Sequence, residues 1–414
     1  MSENRTCYVE MMHKILHEGY SFSTLKNETD ENSLAFCNML ILTACRNLTF
    51  IKNKVLSQFI KKKIPSKQQV LESVLYLGVT ELLFMETPDY AVLNSYVDIA
   101  KKKTDRFGAN FVNAVLRNIL RHKEDLLKNK NDTFFGTDFR KILKKDYSDK
   151  EIKLMENIAQ AEPPLDITFK HNIKPTEGKI LFNGSVRFPA NTKVVDIPLY
   201  NDGCWWVQDT AASMAVKCIK NLNGKKVLDV CAAPGGKTAQ LLDGGAKVTA
   251  LDVSEIRLKT LSENMKRLKF EKDLEIICTD ALNFSSDEKF DVILLDAPCS
   301  ATGTYRRHPE IMHTKNINDV KKQAHLQQKL LNHICQFLPP KGILVYATCS
   351  LAKDEGERQI LNFINVHKDF HIQKISIGTK DMQTKDGFLR ILPYHLADDL
   401  GADGFFVACL QRNI

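Results

Sequence analysis

The apolar positions of residues 1–125 recur at intervals of three and four, which is the period of an amphipathic helix. Segments 35–42 and 70–77 are examples of this spacing. Pro65 and Pro88 lie between such blocks, where a proline begins or ends a helix rather than interrupting one. The pattern therefore predicts an all-α bundle over residues 1–125.

The pattern changes further along the chain. Residues 126–162 are polar and rich in lysine, which predicts a linker with at most one marginal helix. Residues 163–207 alternate apolar and polar positions in short runs, which predicts a small α+β insert. Over residues 208–414, strand-length apolar runs alternate with amphipathic stretches, which predicts a doubly wound, Rossmann-like domain and hence an α + α/β multidomain fold. The predicted strands are Lys226–Cys231, Lys247–Asp252, Leu274–Cys278, Phe290–Asp296 and Gly342–Thr348.

Composition narrows the class of protein. Apolar residues make up 43% of the 414 residues and charged residues 26%, which excludes global disorder and allows a packed core. No uninterrupted apolar run approaches the ~18 residues of a membrane span. Residues 1–10 carry charges where a signal peptide is apolar, so we expect a cytoplasmic protein that does not bind membranes. The 11 cysteines include no C-x-x-C pair, so we expect free thiols and no metal.

The charge balance is compatible with a polyanionic partner. The net charge of +8 arises from 58 basic and 50 acidic residues. Short lysine runs lie at 61–63, 101–103 and 144–145. Such runs favour nucleic acid, because each neutralised phosphate releases counterions. A solvated helix face explains them equally well, so charge alone leaves both interpretations open.

A glycine-containing loop, Cys231–Thr238, follows the first predicted strand of the α/β domain. Gly235 and Gly236 would let the backbone approach a ligand closely at the N-terminus of a helix. Asp252 and Asp280 end the next two predicted strands, where a carboxylate is suited to binding ribose hydroxyls. Each acid alone could equally cap the following helix. Taken together with the loop, they favour a nucleoside cofactor.

Cys299 and Cys349 follow the ends of the fourth and fifth predicted strands. Doubly wound proteins bind ligands outside the carboxyl ends of their strands. A lone cysteine is usually an inert, small apolar residue, and that interpretation applies to the cysteines elsewhere in the chain. The position of these two instead favours reactive thiols, with a thiolate as nucleophile.

These motifs resemble those of a known family. Segments Cys231–Thr238, Asp296–Ser300 and Thr348–Leu351 are similar to the motifs of the S-adenosylmethionine-dependent RNA cytosine-5 methyltransferases. Segments 77–84 and 111–117 resemble the RNA-binding NusB fold, and this pairing is characteristic of bacterial 16S rRNA cytosine-5 methyltransferases. The resemblance implies S-adenosyl-L-methionine as cofactor and a single-stranded or flipped cytosine of 16S rRNA as substrate.

The same resemblance implies roles for individual residues. The thiolate of Cys349 would add to carbon 6 of the cytosine, and Cys299 would assist release of the methylated base. Asp296 would hydrogen-bond the N3 side of the ring. Lys237 would orient Asp296 or stabilise a thiolate. The residues implied to bind the cofactor are Cys231, Ala232, Ala233, Pro234, Gly235, Gly236, Lys237, Asp252, Asp280 and Asp296.

Two alternatives remain open at this point. The chain could be a tRNA cytosine-5 methyltransferase, or an RNA-binding ribosome-assembly factor whose catalytic half is inert. The presence of Asp296, Cys299 and Cys349 argues against the inert protein. We expect a monomer. Trp205 and Trp206 could stack on RNA bases, although packing is the commoner role for tryptophans beside a domain junction.

Overall fold

The computed structural model describes residues 2–26, 31–128, 135–190 and 192–413. The chain divides into two compact units. The first, here called the helical unit, comprises residues 1–141 and 308–316. The second, here called the sheet unit, comprises residues 142–307 and 317–414.

The helical unit is an α-bundle arranged around one central helix. Its helices are α1 (Ser2–His13), α2 (Phe22–Leu25), α3 (Glu31–Phe50), α4 (Ser57–Phe59), α5 (Val70–Phe84), α6 (Asp89–Lys103), α7 (Arg106–Arg121), α8 (Lys123–Lys128), the start of α9 (Thr137–Lys144), and α14 (Ile311–Thr314). Helices α1, α3, α6 and α7 pack against α5, which is buried along almost its whole length. The predicted all-α fold of this part of the chain is confirmed.

A buried ion pair lies inside this bundle. The guanidinium of Arg5 donates two hydrogen bonds to the carboxylate of Glu81, at 2.9 and 2.8 Å. The hydroxyl of Tyr96 donates a third hydrogen bond to Glu81, at 2.6 Å. All three side chains are buried. The pair therefore joins α1, α5 and α6 through fully hydrogen-bonded polar groups, which is the condition for burying charge without a large penalty.

One helical segment among the described residues, Ser33–Phe59, is long and apolar enough to cross a membrane by length and composition. Its most apolar window is 61% buried inside the protein. Leu40, Ile41 and Leu48 belong to the hydrophobic core of the helical unit. The apolar character of this segment is therefore accounted for by packing within the bundle.

The predicted linker over residues 126–162 is wrong for the residues of that range that the structure describes, 126–128 and 135–162. Helix α9 lies within it, and α10 (Asp149–Ala159) follows with buried Ile152 and Met155. A capping box begins α10, because Ser148 and Glu151 each accept a hydrogen bond from the other's backbone N–H. Lysines on the exposed faces give this stretch the composition of a linker, whereas the spacing of its few apolar residues is helical.

A second correction concerns residues 308–316, which the sequence predicts as part of the doubly wound domain over residues 208–414. They belong to the helical unit. The carbonyl of Met312 accepts a hydrogen bond from the N–H of Gly136 at 3.0 Å. The imidazole of His313 is hydrogen-bonded to the carbonyl of Cys45 at 2.7 Å. These are contacts between distant parts of the chain, which local patterns do not encode.

The insert over residues 163–207 is a small antiparallel sheet. Its strands are β1 (Leu165–Phe169), β2 (Lys179–Ile180), β3 (Val186–Phe188) and β4 (Trp205–Val207), in the order β2-β3-β1-β4. The described residues of the insert contain a single 3₁₀ turn (Val194–Asp196) and no α-helix, so the predicted helical part is wrong. Trp205 fills the core of this sheet, and its indole N–H donates to the carbonyl of Pro198.

The rest of the sheet unit is a doubly wound α/β domain. Its strands are β5 (Lys226–Val230), β6 (Lys247–Asp252), β7 (Leu274–Cys278), β8 (Val292–Asp296), β9 (Ile343–Thr348), β10 (Phe370–Gln373), β11 (Leu389–Ile391) and β12 (Phe405–Arg412). Its helices are α11 (Thr210–Lys217), α12 (Gly236–Asp243), α13 (Glu255–Arg267), α15 (Ile317–Ile334) and α16 (Glu357–Val366). The strand order is β10-β12-β9-β8-β5-β6-β7, with β11 beside β12.

Both faces of this sheet are buried. Val227 and Val292 face one hydrophobic core, whereas Leu228 and Ile293 face the other. Strands β5 to β9 are parallel to their neighbours, and β12 pairs antiparallel with β9. A parallel sheet covered on both faces is the predicted Rossmann-like arrangement, and that prediction is confirmed.

Candidate active site

The candidate site residues follow five adjacent strands of the sheet. In spatial order the strands are β9, β8, β5, β6 and β7. Cys349 follows β9, Asp296 ends β8 and Cys299 follows it, and the glycine loop follows β5. Asp252 ends β6, and Asp280 follows β7. Because these strands are parallel, their carboxyl ends meet at one edge of the sheet. The fold thus gathers every predicted site residue along that edge.

The two cysteines are in contact. The Sγ atoms of Cys299 and Cys349 are 3.4 Å apart, although the residues are 50 positions apart in the chain. The loop after β8 returns to the loop after β9, where the N–H of Gly303 donates to the carbonyl of Cys349 at 2.9 Å. The hydrogen bond with Cys349, together with burial, raises the pKa of the Cys299 thiol well above its usual value. The raised pKa keeps the Cys299 thiol protonated.

Asp296 is held by a lysine from the glycine loop. The ammonium of Lys237 is 2.7 Å from Oδ2 of Asp296 and 5.1 Å from the ring centroid of Phe405. The Lys237 side chain is 11% exposed and that of Asp296 is 33% exposed. The carboxylate is therefore fixed on one side and still accessible to a ligand, which supports the predicted role of Lys237 in orienting Asp296.

The glycine loop turns sharply between β5 and α12. The N–H of Ala232 donates to the carbonyl of Leu251 at 3.0 Å, which continues the pairing of β5 with β6 past the end of the strand. Gly235 has φ = +104°, and a Cβ at this position would lie 3.0 Å from the side chain of Leu261. A Cβ on Gly236 would have the side chain of Gln208 as its nearest neighbour, at 3.8 Å, which is an ordinary van der Waals contact. The fold thus requires glycine only at 235.

The remaining residues of the loop are mostly packed against the sheet. Ala232 and Ala233 are buried, whereas Pro234 is exposed. Cys231 packs partly against a hydrophobic core, and burial raises its thiol pKa to about 12. Such a thiol stays neutral and contributes shape rather than reactivity.

The two predicted ribose-binding acids differ in their surroundings. Oδ2 of Asp252 accepts a hydrogen bond from the N–H of Ala233, and Oδ1 accepts one from the N–H of Ser254. Asp252 thus links the end of β6 to the glycine loop. Asp280 is exposed and accepts a hydrogen bond from the N–H of Leu282, as expected of a residue that caps a turn. Both carboxylates lie at the ligand-facing edge of the sheet.

Asp229 supports the loop from within the core. It is fully buried in β5, and its Oδ2 accepts a hydrogen bond from the hydroxyl of Thr238 at 2.7 Å. Its other oxygen has no hydrogen-bond partner among the described residues. Burial raises the Asp229 pKa from 3.8 to about 7, and the nearby carboxylates of Asp296 and Asp252 act in the same direction.

Several residues that sequence analysis missed also reach this region. Arg307 donates to Asp403 at 2.9 Å; burial lowers the Arg307 pKa, but the charges of Asp403 and Asp209, with a smaller contribution from Cys349, raise it overall. Arg390 donates to the carbonyl of Ser350, the residue after Cys349. Glu355 contacts both cysteine loops. Local sequence patterns gave these residues no role, because Arg307 lies 96 positions from Asp403, Arg390 lies 40 from Ser350, and Glu355 lies 55 from Ser300.

Two other interpretations can now be assessed. Trp206 is 4% exposed, packs against Phe270 and donates its indole N–H to Gln208, so both tryptophans pack inside the protein. Among the described residues, no three His, Cys, Asp or Glu side chains form a group that could hold a metal ion.

Comparison with known proteins places the chain in a family. Residues 216–411 match the model of the family described as 16S rRNA methyltransferase RsmB/F. Residues 2–121 match the model of the NusB family. The ribosomal RNA small subunit methyltransferase B of Vibrio cholerae is 32% identical over 375 residues, which cover 85% of this chain and 83% of that protein. The protein of the same name from Serratia proteamaculans is 30% identical over 425 residues, 96% of each chain. The chain belongs to the ribosomal RNA small subunit methyltransferase B family.

Family membership makes the chain an RNA methyltransferase with a NusB domain at its front. The solved structure of the protein PH0851 superimposes with a TM-score of 0.75 at 20% identity, covering 100% of this chain and 99% of that one. The likeness to this structure shows the fold alone. The methyltransferase motifs therefore stand on the doubly wound sheet.

We expect the substitution Asp229→Asn to stabilise the methyltransferase at pH 8 and to have little effect near pH 4. The folded-state pKa is raised above the ordinary 3.8, so the wild-type protein loses stability as the pH rises from about 4 through about 7. An amide carries no such cost. At full ionisation the gain is at most about 4 kcal/mol, seen as a higher midpoint of thermal unfolding.

The exposed Asp280 provides the control, since Asp280→Asn removes one carboxylate without changing a buried group. An Asp229→Asn gain of equal size at pH 4 and pH 8 would show that its cause is not the charge.

Proposed function

We propose that this protein transfers a methyl group from S-adenosyl-L-methionine to carbon 5 of a cytosine in 16S rRNA, through a covalent bond between Cys349 and carbon 6. The observation that carries the proposal is the contact of two thiols, Cys299 and Cys349, beside a lysine-held carboxylate at the ligand edge of the sheet. One thiolate can add to the base, and a second group can then act as acid or base.

The residues beside the glycine loop fit the proposed cofactor. The turn at Gly235 begins α12, so backbone N–H groups of the helix N-terminus face the ligand edge. The space over Gly236 suits the close approach of a ligand, and the carboxylates of Asp252 and Asp280 at the ends of the next two strands suit a nucleoside that carries no phosphate. When bound, the cofactor supplies an electrophilic methyl group on a sulfonium. Asp296, on the other side of the loop, lies between the cofactor residues and Cys349.

The first half of the reaction depends on Cys349. Carbon 5 of cytosine is a weak nucleophile until another group adds to carbon 6. The Cys349 thiolate forms a sulfur–carbon bond to C6, and the electron pair of the C5–C6 double bond becomes available at C5. Asp296 holds the N3 side of the ring, where charge develops during this addition. Carbon 5 would then bond to the methyl group while the bond between that methyl group and the sulfonium sulfur breaks, which would leave a neutral thioether.

The second half requires removal of the proton on carbon 5. The hydrogen bond and charge of Cys349 raise the Cys299 pKa in the free protein. Once Cys349 is bonded to the base, that charge is gone, so Cys299 is more easily deprotonated. Cys299 can then take the C5 proton as a thiolate, the C5–C6 double bond re-forms, and Cys349 leaves as a thiolate. The contact between the thiols thus makes each available at the step that uses it.

The proposed substrate follows from the relatives and the helical unit. The relatives are named for ribosomal RNA of the small subunit. Lys61, Lys62 and Lys63 are exposed on the helical unit and line a cavity of about 230 Å³. A run of exposed lysines suits the phosphates of an RNA strand. Bisulfite mapping of 16S rRNA and tRNA from a deletion strain tests the proposal. A site lost only from tRNA would favour the tRNA enzyme, and no lost site would favour the non-catalytic assembly factor.

We expect the two cysteines to fail at different steps. Cys349→Ala should reduce methyl transfer to background and form no covalent RNA adduct, because no thiolate adds to carbon 6. Cys299→Ala should still add and methylate once, but the product should stay attached because the C5 proton is not removed. Denaturing gels of protein with labelled RNA measure the adduct.

Cys278→Ala is the matched control, since Cys278 is an exposed thiol on the same sheet. An adduct with Cys349→Ala and none with Cys299→Ala would reverse the two roles. Wild-type methylation by both variants would show that the cysteines are structural.

We expect the two loop glycines to respond differently to an added methyl group. Gly236→Ala should fold normally, since its Cβ meets nothing closer than 3.8 Å, but should bind S-adenosyl-L-methionine at least ~10-fold more weakly by calorimetry. Gly235→Ala should instead lower the thermal stability, because φ is +104° and Leu261 is close. Unchanged cofactor affinity in Gly236→Ala would contradict the placement of the cofactor over this loop.

We expect the lysine run of the helical unit to contribute to RNA binding. Lys61→Glu with Lys62→Glu should weaken binding of a 16S rRNA fragment and reduce the slope of log affinity against log salt by about 1.4. Lys247→Glu with Lys272→Glu makes the same charge change on exposed residues at the amino ends of β6 and β7. Equal effects of the two pairs would indicate general electrostatic attraction instead of a binding surface.

A further inference from the structure

A buried carboxylate lies directly behind the two cysteines. Glu355 is in the turn between β9 and α16, and it is 0% exposed. Its Oε1 accepts hydrogen bonds from the N–H of Ser300 at 2.8 Å and from the amide of Gln327 at 3.0 Å. Its Oε2 accepts from the hydroxyls of Ser300 and Ser350, each at 2.5 Å. Ser300 follows Cys299 and Ser350 follows Cys349, so one carboxylate joins the two cysteine loops.

The main chain of Glu355 is fixed to the same region. Its carbonyl accepts hydrogen bonds from the hydroxyl of Tyr346 at 2.9 Å and that of Thr348 at 3.2 Å, both on β9. Gln327, on α15, also donates to the carbonyl of Pro298 at 2.9 Å. The carboxylate is therefore held to the strand before Cys349, and its partner Gln327 to the loop before Cys299.

Burying the Glu355 carboxylate costs solvation free energy, which indicates that it has a role at the site. Burial raises the Glu355 pKa, and no lysine or arginine among the described residues forms an ion pair with it. Neutral hydrogen-bond donors alone offset the loss of solvation. A core that required only stability would be at least as well served by apolar side chains of the same volume. The network is instead centred on the two residues that follow the cysteines.

We propose that Glu355 is a positioning residue that holds the loops of Cys299 and Cys349 against each other, so that the two thiols stay in contact. This inference rests on the proposed function for its catalytic meaning, but the geometry that it explains does not. Among the described residues the two loops share four other hydrogen bonds besides the thiol contact: Ser300 with Ser350 at 3.2 Å, Thr302 with Ser350 at 3.1 Å, the N–H of Leu351 to Thr302 at 2.9 Å, and the N–H of Gly303 to the carbonyl of Cys349. Without Glu355 the hydroxyl groups lose their common acceptor.

The contact between the thiols can be measured without RNA or cofactor. Phenylarsine oxide captures two neighbouring thiols, forming two arsenic–sulfur bonds and releasing one water. A Cys218→Ser background removes a second pair of interacting thiols among the described residues, Cys218 with Cys409. Intact mass spectrometry then counts captured arsenic, and a further Cys299→Ser substitution should abolish the capture at this site.

The test compares two variants of Glu355. Glu355→Leu removes every acceptor atom of the carboxylate, and we expect arsenical capture to be lost and single-turnover methylation to fall ~100-fold, the usual cost of misplacing a reacting group by about 1 Å. Glu355→Gln keeps the oxygen that serves Ser300 N–H and Gln327, so we expect partial capture and a loss of ~10-fold. Affinity for S-adenosyl-L-methionine and KM for RNA should not change, because Glu355 contacts neither the glycine loop nor Asp252.

Glu288→Gln is the control, since it alters an exposed carboxylate near the amino end of β5, away from the cysteines, and should leave capture and methylation at wild-type levels. A folded Glu355→Leu protein with wild-type capture and rate would overturn the proposal. If Glu355→Leu does not fold, Glu355→Gln and Ser300→Ala decide, and wild-type capture in both would overturn it as well. Wild-type methylation by Cys349→Ala would instead overturn the proposed function, while the capture experiment would still test the role of Glu355.

Discussion

The parallel register of five adjacent strands is the constraint on which the site depends. Asp296 pairs with Ala347 on β9, and Asp252 pairs with Cys278 on β7, so the strands end at the same level. Neighbouring strands are about 4.8 Å apart, and residues that follow successive strands therefore lie in a row. Cys299 and Cys349 occupy one end of that row, and the carboxylates of Asp252 and Asp280 occupy the other. The order of the strands, rather than any one motif, would place the proposed methyl donor next to the proposed nucleophile.

The chemistry at this edge is supported by buried polar groups that never reach it. Asp229 holds the glycine loop through Thr238, and Glu355 holds both cysteine loops through Ser300 and Ser350. Each carboxylate is taken out of water at a cost, and burial raises the pKa of each. Such costs are commonly found where a site must be held in one geometry. The network of Asp229 lies behind the glycine loop, and the network of Glu355 lies behind the two thiols.

The helical unit shows a similar use of buried charge for a structural purpose. Arg5, Glu81 and Tyr96 bring three helices together without reaching solvent, while the lysines at 61–63 remain exposed. The basic surface and the core therefore draw on different residues. The unit is completed by residues 308–316, which the chain supplies from between two segments of the sheet unit. The two units are thus interwoven in sequence while each forms its own compact core.

The periodicity of apolar residues determined the helical front, the doubly wound sheet and the strand ends, because helix and strand periods are local properties. The candidate site residues between Cys231 and Cys349 could be predicted from the sequence, because they lie at strand ends that the local periodicity locates. Tertiary structure alone decided that residues 137–144 and 149–159 fold as helices, since burial of Ile152 and Met155 depends on their neighbours. It also decided the role of Glu355, whose partner Gln327 lies 28 positions away and whose partner Ser300 lies 55 away. Hydrogen bonds between such distant residues leave no periodic trace in the sequence, and only the folded chain brings them together.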